Sequence, residues 1–355
     1  MFSPSRHFVA PFIFLLVVAA NAQPIDQTPW VVYDGTEGPG DGKHIVFVSG
    51  DEEYRSEEAL TQLARILAFR HGFKATVLYA IHPESGEIDP MYLHNIPGLE
   101  QLQEADLMVL FTRFRELPED QMVFIETYTK SGKPIIGLRT ATHAFRFTEK
   151  YPDSPYRKYD SANETGEWKG GWGRQVLGET WVSHHGEHSV QGTRGLVNYL
   201  YAEDPIMNGI GDNVYGDTDV YGLTELPDGT EVLLYGLTLK SLDSSAPPEY
   251  ENSIVPIAWR RTYLGETGNA SRVFTTTLGA SVDLKSEGVR RMLVNAVFWG
   301  LGMEDAIPDE ANVDYVGEYE PTFYGFGEHK RGIYPADLEM SANEARAWME
   351  GAAKE

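Results

Sequence analysis

Lys43-His44-Ile45-Val46-Phe47-Val48-Ser49 is an unbroken apolar run of strand length that ends at Gly50. The segment that follows, Glu57 to His71, repeats Leu60, Leu63, Ala64, Leu67 and Ala68 at helical spacing. Strand and helix then alternate downstream. Lys74 to Tyr79 reads as a second strand and Asp106 to Phe111 as a third. A helix is predicted from Pro118 to Lys130, with proline at its first turn and Gly132 past its end. Pro134 to Leu138 reads as a fourth strand, and Ala141 to Phe147 as the opening of another helix. Gly-bounded alternation of this kind predicts an α/β fold, a doubly wound, mostly parallel sheet covered on both faces. Ile254 to Tyr263 and Arg272 to Leu278 are later strands, and Lys285 to Gly300 is a helix with an apolar face. Asp305 to Gly332 is acidic, aromatic and aperiodic. Ser341 and Glu344 form a capping box for a short last helix ending near Gly351. The expected organisation is one α/β domain over 43–303, with an irregular tail over 304–355.

Working outward to the whole chain, 355 residues carry 53 acidic and 29 basic side chains, a formal net charge of −24. That surface repels phosphate backbones and anionic headgroups, so nucleic acid and membrane surfaces are not expected as partners. Neutral and cationic small molecules remain. The absence of cysteine removes disulfides, thiolate nucleophiles and sulfur-ligated metals together. At the amino terminus Arg6 and His7 precede the apolar stretch Phe8 to Ala20, and Ala20-Asn21-Ala22 places small residues at −3 and −1. We read residues 1–22 as an export signal cleaved before Gln23, too short to span a bilayer, with a linker over 23–42. The mature chain is expected to be periplasmic or extracellular and free of the membrane.

Ligands of open parallel sheets collect beyond the carboxyl ends of the strands. Three loops are candidates there: Ser49 to Arg55, with Glu53; Thr112 to Glu116, with Arg113 and Arg115; and Arg139-Thr140-Ala141-Thr142-His143, a sharp strand-to-helix turn. Thr140 lacks the terminal amine that activates threonine nucleophiles, so acid/base work and charge stabilisation suit these residues better. The blander reading makes the glutamates helix caps and the arginines surface ion pairs.

The densest cluster is Ser183-His184-His185-Gly186-Glu187-His188. His184 and His188 share a face if the segment is extended, and they serve either as proton carriers or, with His185, as ligands of a divalent metal. Asp217 and Asp219 lie two apart ahead of Tyr221, on one face of an extended chain. Trp168 and Trp172, in an aromatic and glycine-rich stretch, have the composition of a sugar-stacking platform; packing on the core explains the same residues equally well.

In order along the chain, Asp106-Leu107-Met108-Val109-Leu110, Gly132 to Arg139, Asp204-Pro205-Ile206-Met207-Asn208-Gly209-Ile210, Asp219-Val220-Tyr221, Pro256-Ile257-Ala258-Trp259, Arg272 to Gly279 and Ala296-Val297-Phe298-Trp299-Gly300 resemble the ThuA-like (trehalose utilisation) family over about residues 43–303. The resemblance implies a flavodoxin-related, class I glutamine amidotransferase-like fold and a place in sugar metabolism, beside dehydrogenases that make 3-keto-glycosides. The chain departs from the family where Arg139, Asp204 and Ala280 stand in place of histidines. Three functions are compatible with these residues. The first is an exported enzyme acting on a glycoside or 3-keto-glycoside by hydrolysis or elimination. In that reading Arg139, His184, His188, Glu53 and Asp219 are catalytic, while Arg113, Arg115, Thr140, His143, Trp168, Trp172 and Tyr221 bind substrate. The others are a non-catalytic carbohydrate-binding module and a metal-dependent hydrolase. No other cofactor is expected.

Overall fold

The computed structural model describes residues 28–352 except Asn213; the expected signal segment, 1–22, lies outside the described residues. A ten-stranded sheet dominates. In chain order its parallel strands are β2 (His44–Gly50), β3 (Lys74–Leu78), β4 (Leu107–Thr112), β5 (Ile135–Leu138) and β12 (Ala270–Thr276), lying side by side as β3-β2-β4-β5-β12. The remaining strands are antiparallel. β1 (Trp30–Tyr33), within the stretch expected to be a linker, pairs with β3 at one edge. Beyond β12 the sheet continues through β11 (Val255–Leu264), β10 (Glu231–Thr238), β7 (Thr193–Val197) and β8 (Tyr215–Gly216). A separate two-stranded ribbon joins β6 (Ser183–His185) to β9 (Val220–Gly222).

The sheet is thus half parallel and half antiparallel, which corrects the expectation of a mostly parallel one. Strands β7, β10 and β11 alternate only weakly between buried and half-exposed positions, and glycines interrupt β7 and β10, so their signal in the sequence is faint. Helices are few. Helix α1 (Ser56–His71) and helix α3 (Glu287–Gly300) cover one face, where Leu60, Leu63 and Leu67 meet Ile45 and Phe47, with Met292, Leu293 and Val297 in the same core. Helix α2 (Glu119–Ser131) covers the other, where Met122, Ile125 and Tyr128 share a core with Val46, Val48, Met108 and Ile135. Successive residues of one strand feed opposite cores, as the two-residue pleat requires. The helix expected from Ala141 to Phe147 is a single 3-10 turn, Arg139–His143.

The segment beyond residue 303 is packed on the domain. Ala311, Val313, Val316 and Tyr324 are buried in the same core as α1 and α3, and helix α4 (Ala342–Ala352) buries Ala345 there. Backbone carbonyls hold it: Arg70 donates to Asp314 and Tyr315, Arg290 to Val313, and Arg291 to Ala311. The sequence hides this because side-chain donors binding backbone acceptors leave no periodic pattern. Among the described residues no helix is long and apolar enough to cross a membrane.

Candidate active site

The loops after β2, β4 and β5 converge. In the first, Asp51 is fully buried, and its carboxylate accepts the N–H groups of Glu53 (2.6 Å) and Tyr54 (2.7 Å) and the Thr140 hydroxyl. Burial, with Glu52 adding to it, raises the Asp51 carboxyl above the usual range. Glu52 is the shared counter-ion of Arg113 and Arg115. Left-handed backbone is costly for residues with a side chain, of order 1–3 kcal/mol. The four described non-glycine residues that adopt it are Arg55 (φ 58°), Phe114 (48°), Arg139 (47°) and Ser189 (63°). Three sit in these loops and the fourth follows His188, so the strain collects at one place in the fold.

The ribbon supplies the imidazoles. Pairing of β6 with β9 sets His184 opposite Tyr221, two residues from Asp219. His184 Nδ1 lies 2.6 Å from Asp219 Oδ2, and His188 Nδ1 lies 3.0 Å from Oδ1 of the same carboxylate. His188 Nε2 reaches Glu53 Oε1 at 3.2 Å. Hydrogen bonds to Asp219 and Glu53 outweigh partial burial and push the His188 imidazole up to about 9, so it is a cation clamped between two carboxylates. Burial alone would raise Asp219. The hydrogen bonds of His184 and His188 and the charge of Arg139 overcome that and bring it down to about 2.

A small cleft opens here, about 30 Å³ in volume, lined by Glu53, Arg113, Phe114, His143, Trp181, His184 and the rings of Tyr54 and Tyr221. The Tyr221 hydroxyl is buried and meets no hydrogen-bond partner among the described residues. His143 forms one wall, against Phe114, Trp181 and Tyr221. Burial holds it well below the usual imidazole range, with Arg113 and Arg139 adding to this, so it is neutral. Arg113 keeps its guanidinium at the rim, over the rings of Phe114 and Phe326.

Several residues expected to bind or react are spent on the fold instead. Arg139 has no exposed surface. It donates to Thr218 Oγ1 (2.9 Å), the Thr277 carbonyl (2.8 Å) and the Asp219 carbonyl (3.0 Å), and lies 3.8 Å from the centre of the Tyr54 ring. It holds the floor of the site without facing a substrate. Arg115 is equally enclosed, donating to Glu52 (2.5 Å) and to the carbonyls of Arg113 and Pro90. Thr140 is buried against Asp51. Trp172 is a core residue whose indole N–H bonds Thr129 at 3.0 Å, and Trp168 packs on Tyr159, lining a different cavity from His184. A Cβ at Gly173 would collide with the Thr142 carbonyl, so the glycines of that stretch allow the loop to close on the 139–143 turn. His185 turns away to the Ser253 carbonyl (2.7 Å). Asp217 approaches Lys285, so of these two aspartates only Asp219 belongs to the site.

The sequence reading did not single out Asp51, Tyr54, Phe114, Trp181 or Tyr324. Tyr324 packs on Tyr54 and His188, with ring centres 5.1 and 5.2 Å apart, and the Gly325 N–H bonds the Glu53 carbonyl. The supposed tail therefore closes one side of the site. His184, His188 and Asp219 present ligand atoms within 4.8 Å of one another, a set of nitrogen and oxygen donors suited to a divalent ion of the zinc type. The metal-capable trio thus contains Asp219 where His185 was expected.

Residues 159–300 match the model of the ThuA family, described as trehalose utilisation. Over that segment the chain is similar to the ThuA family. The match includes β6 with His184, the following loop with His188, β9 and Asp219, while the loops after β2, β4 and β5 precede it. Among solved structures, a ThuA-like protein from Parabacteroides merdae is 14% identical with a TM-score of 0.47, covering 80% of this chain and 97% of its own. Another from Bacteroides uniformis is 15% identical with a TM-score of 0.45, covering 75% and 94%. No curated protein matches. Of the positions where the chain departs from the expected histidines, Arg139 lies under the cleft. Asp204 pairs with Arg260 at 2.9 Å, and the Ala280 N–H bonds Asp283 near Arg139.

Proposed function

We propose that this chain is a carbohydrate enzyme that removes a proton from a 3-keto-glycoside and eliminates its glycosidic bond, with His184 as the base. The observation that carries this is the His184–Asp219 pair. The 2.6 Å contact to a buried carboxylate fixes the Nδ1–H tautomer and leaves Nε2, which meets no protein partner among the described residues, as the proton acceptor at the cleft. Arg113, at the rim, is the cation for the developing enolate. The balance is simple. The C2–H bond breaks toward His184, the C1–C2 double bond forms, the C1–O bond breaks, and the proton returns to the departing oxygen. The ketone makes that C–H acidic, so neither oxidant nor reductant is needed.

The cleft's volume admits the reacting edge of a sugar and not a whole ring. Trp181 and Phe326, both exposed, offer faces at the rim for the remainder. We also read the parallel half of the sheet as a flavodoxin-like unit, since β3-β2-β4-β5-β12 repeats the 2-1-3-4-5 order and the site lies where that order reverses, between β2 and β4.

A proton-NMR time course with trehalose, other disaccharides and their 3-keto forms tests the proposal. Loss of a keto-glycoside with appearance of an enone supports it. Silence with broadening of sugar resonances replaces it with a carbohydrate-binding module, and silence without broadening removes the sugar reading altogether. The second reading, a metal-dependent hydrolase, rests on the converging His184, His188 and Asp219. It requires one equivalent of metal in chelator-free protein by elemental analysis, and activity lost to chelator.

A further inference from the structure

A cleft of about 30 Å³ holds only the reacting edge of a substrate, so the remainder lies on the surface around it. Aromatic rings border that surface. Trp181 is 37% exposed, with its ring centre 5.8 Å from those of both His143 and His184. Phe326 is 54% exposed and has the Arg113 guanidinium 5.0 Å from its ring centre. Phe323, 43% exposed, stacks at 4.3 Å on Tyr324, which packs on His188. A single exposed apolar residue is ordinary, whereas three aromatic rings about one cleft mark a surface that meets a ligand. The polar groups beside them are already committed. Glu53 pairs with His188 and Arg113, Arg113 with Glu52, His184 Nδ1 with Asp219, and His143 Nδ1 with Thr142.

We propose that the substrate is the glycoside of a phenol, its aromatic aglycone seated against Trp181 and Phe326 outside the cleft and the edge of its sugar ring turned toward His184. For its reaction this rests on the elimination reading above. A second sugar in the aglycone's place would bring several hydroxyls, each of which must exchange water for a protein partner or incur a penalty, and the committed groups have little capacity left. An aromatic ring needs no such partner and gains from offset or edge contacts with Trp181 and Phe326. The leaving group points the same way. Cationic His188 gives both ring nitrogens to Asp219 and Glu53, His143 is neutral, and the Tyr221 hydroxyl is shut off from solvent. Among these residues only His184 can return a proton to the departing oxygen. As the C1–O bond breaks, its electron pair leaves on the aryl oxygen, which ends as a phenol when His184 gives back the proton taken from C2. A phenol, with an ordinary pKa of about 10, departs with less help from an acid than a sugar hydroxyl does.

Phenyl, cyclohexyl and methyl glucosides, each as both anomers, are titrated calorimetrically into the full chain. We expect one phenyl anomer to bind at least tenfold more tightly than its methyl counterpart and at least threefold more tightly than the cyclohexyl one, which matches it in size and not in aromaticity. Trp181→Ala and Phe326→Ala should each cut the phenyl-to-methyl ratio at least threefold, and both replace exposed side chains, so the variants are expected to fold. Equal binding of phenyl and methyl glucosides, equal binding of phenyl and cyclohexyl glucosides, no heat from any of them, or an undiminished ratio in both variants would overturn the proposal. Proton NMR of the 3-keto forms separates this from the reaction. If phenyl glucoside binds in this pattern while its 3-keto form stays intact, the aromatic site holds and the elimination reading fails. If methyl 3-keto-glucoside is eliminated without any preference for phenyl, the elimination holds and the aromatic site fails.

Discussion

At Arg139 the guanidinium is enclosed by tyrosine rings and lies within 4.0 Å of the buried carboxylates of Asp219 and Asp283. Taking it away strands both, so Arg139→Ala is expected to cost about 3–5 kcal/mol, read by denaturant unfolding, and to act on the fold before it acts on chemistry. A loss below about 1 kcal/mol would show that the cation is dispensable to the floor. Trp172→Ala should likewise destabilise by about 3–5 kcal/mol while sugar binding persists. Weakened binding in a stable Trp172→Ala protein would restore the stacking-platform reading. Asp219→Asn keeps the shape but gives His184 a donor on one side, so turnover should fall at least about a hundredfold in a folded protein. The residue types of the site were legible in the sequence, because imidazoles and carboxylates crowd between His184 and Asp219. Which of them face solvent was not, since Arg113 and Arg139 look alike until burial separates them, and Trp181 carries no motif.

At the scale of elements, the strands and helices of the parallel half were legible because each is long, apolar and bounded by glycine or proline. The ribbon β6–β9 was not, having three residues a side, although it is what brings His184 to Asp219. The C-terminal segment shows the same limit. Its capping box is readable, and Ser341 and Glu344 do bond reciprocally at 2.8 and 3.3 Å, but its docking depends on arginines donating to carbonyls from distant helices. A chain ending at residue 303 would expose the apolar surface now under Ala311, Val313 and Val316 and uncover His188. We expect it to lose cooperative unfolding and to associate, measured by thermal melting with light scattering. A monomeric, cooperatively melting 1–303 fragment would show that the segment is only appended.

For the whole molecule, charge and burial point the same way. His188, raised to about 9, contributes stability fully below its ordinary 6.5 and loses it as pH rises through 9. Glu57, raised by burial to about 8, also favours the folded chain while protonated, and its contribution fades as pH climbs from its ordinary 4.5 through 8. Asp219, lowered to about 2, works oppositely, contributing above its ordinary 3.8 and losing that only as pH falls toward 2. The net charge of −24 adds self-repulsion that eases toward the isoelectric point near 4.8. The melting temperature should therefore be highest near pH 5 and fall steadily to pH 9; a rise across that range would contradict these assignments.

In the reaction we propose, His184, held by Asp219, removes the proton. The most direct test is the initial rate of elimination from the 3-keto-glycoside by the parent chain, His184→Ala and His185→Ala. We expect a fall of about 10² to 10⁴ for His184→Ala, with His185→Ala close to the parent because His185 faces Ser253. A folded His184→Ala protein that eliminates at the parent rate would contradict it.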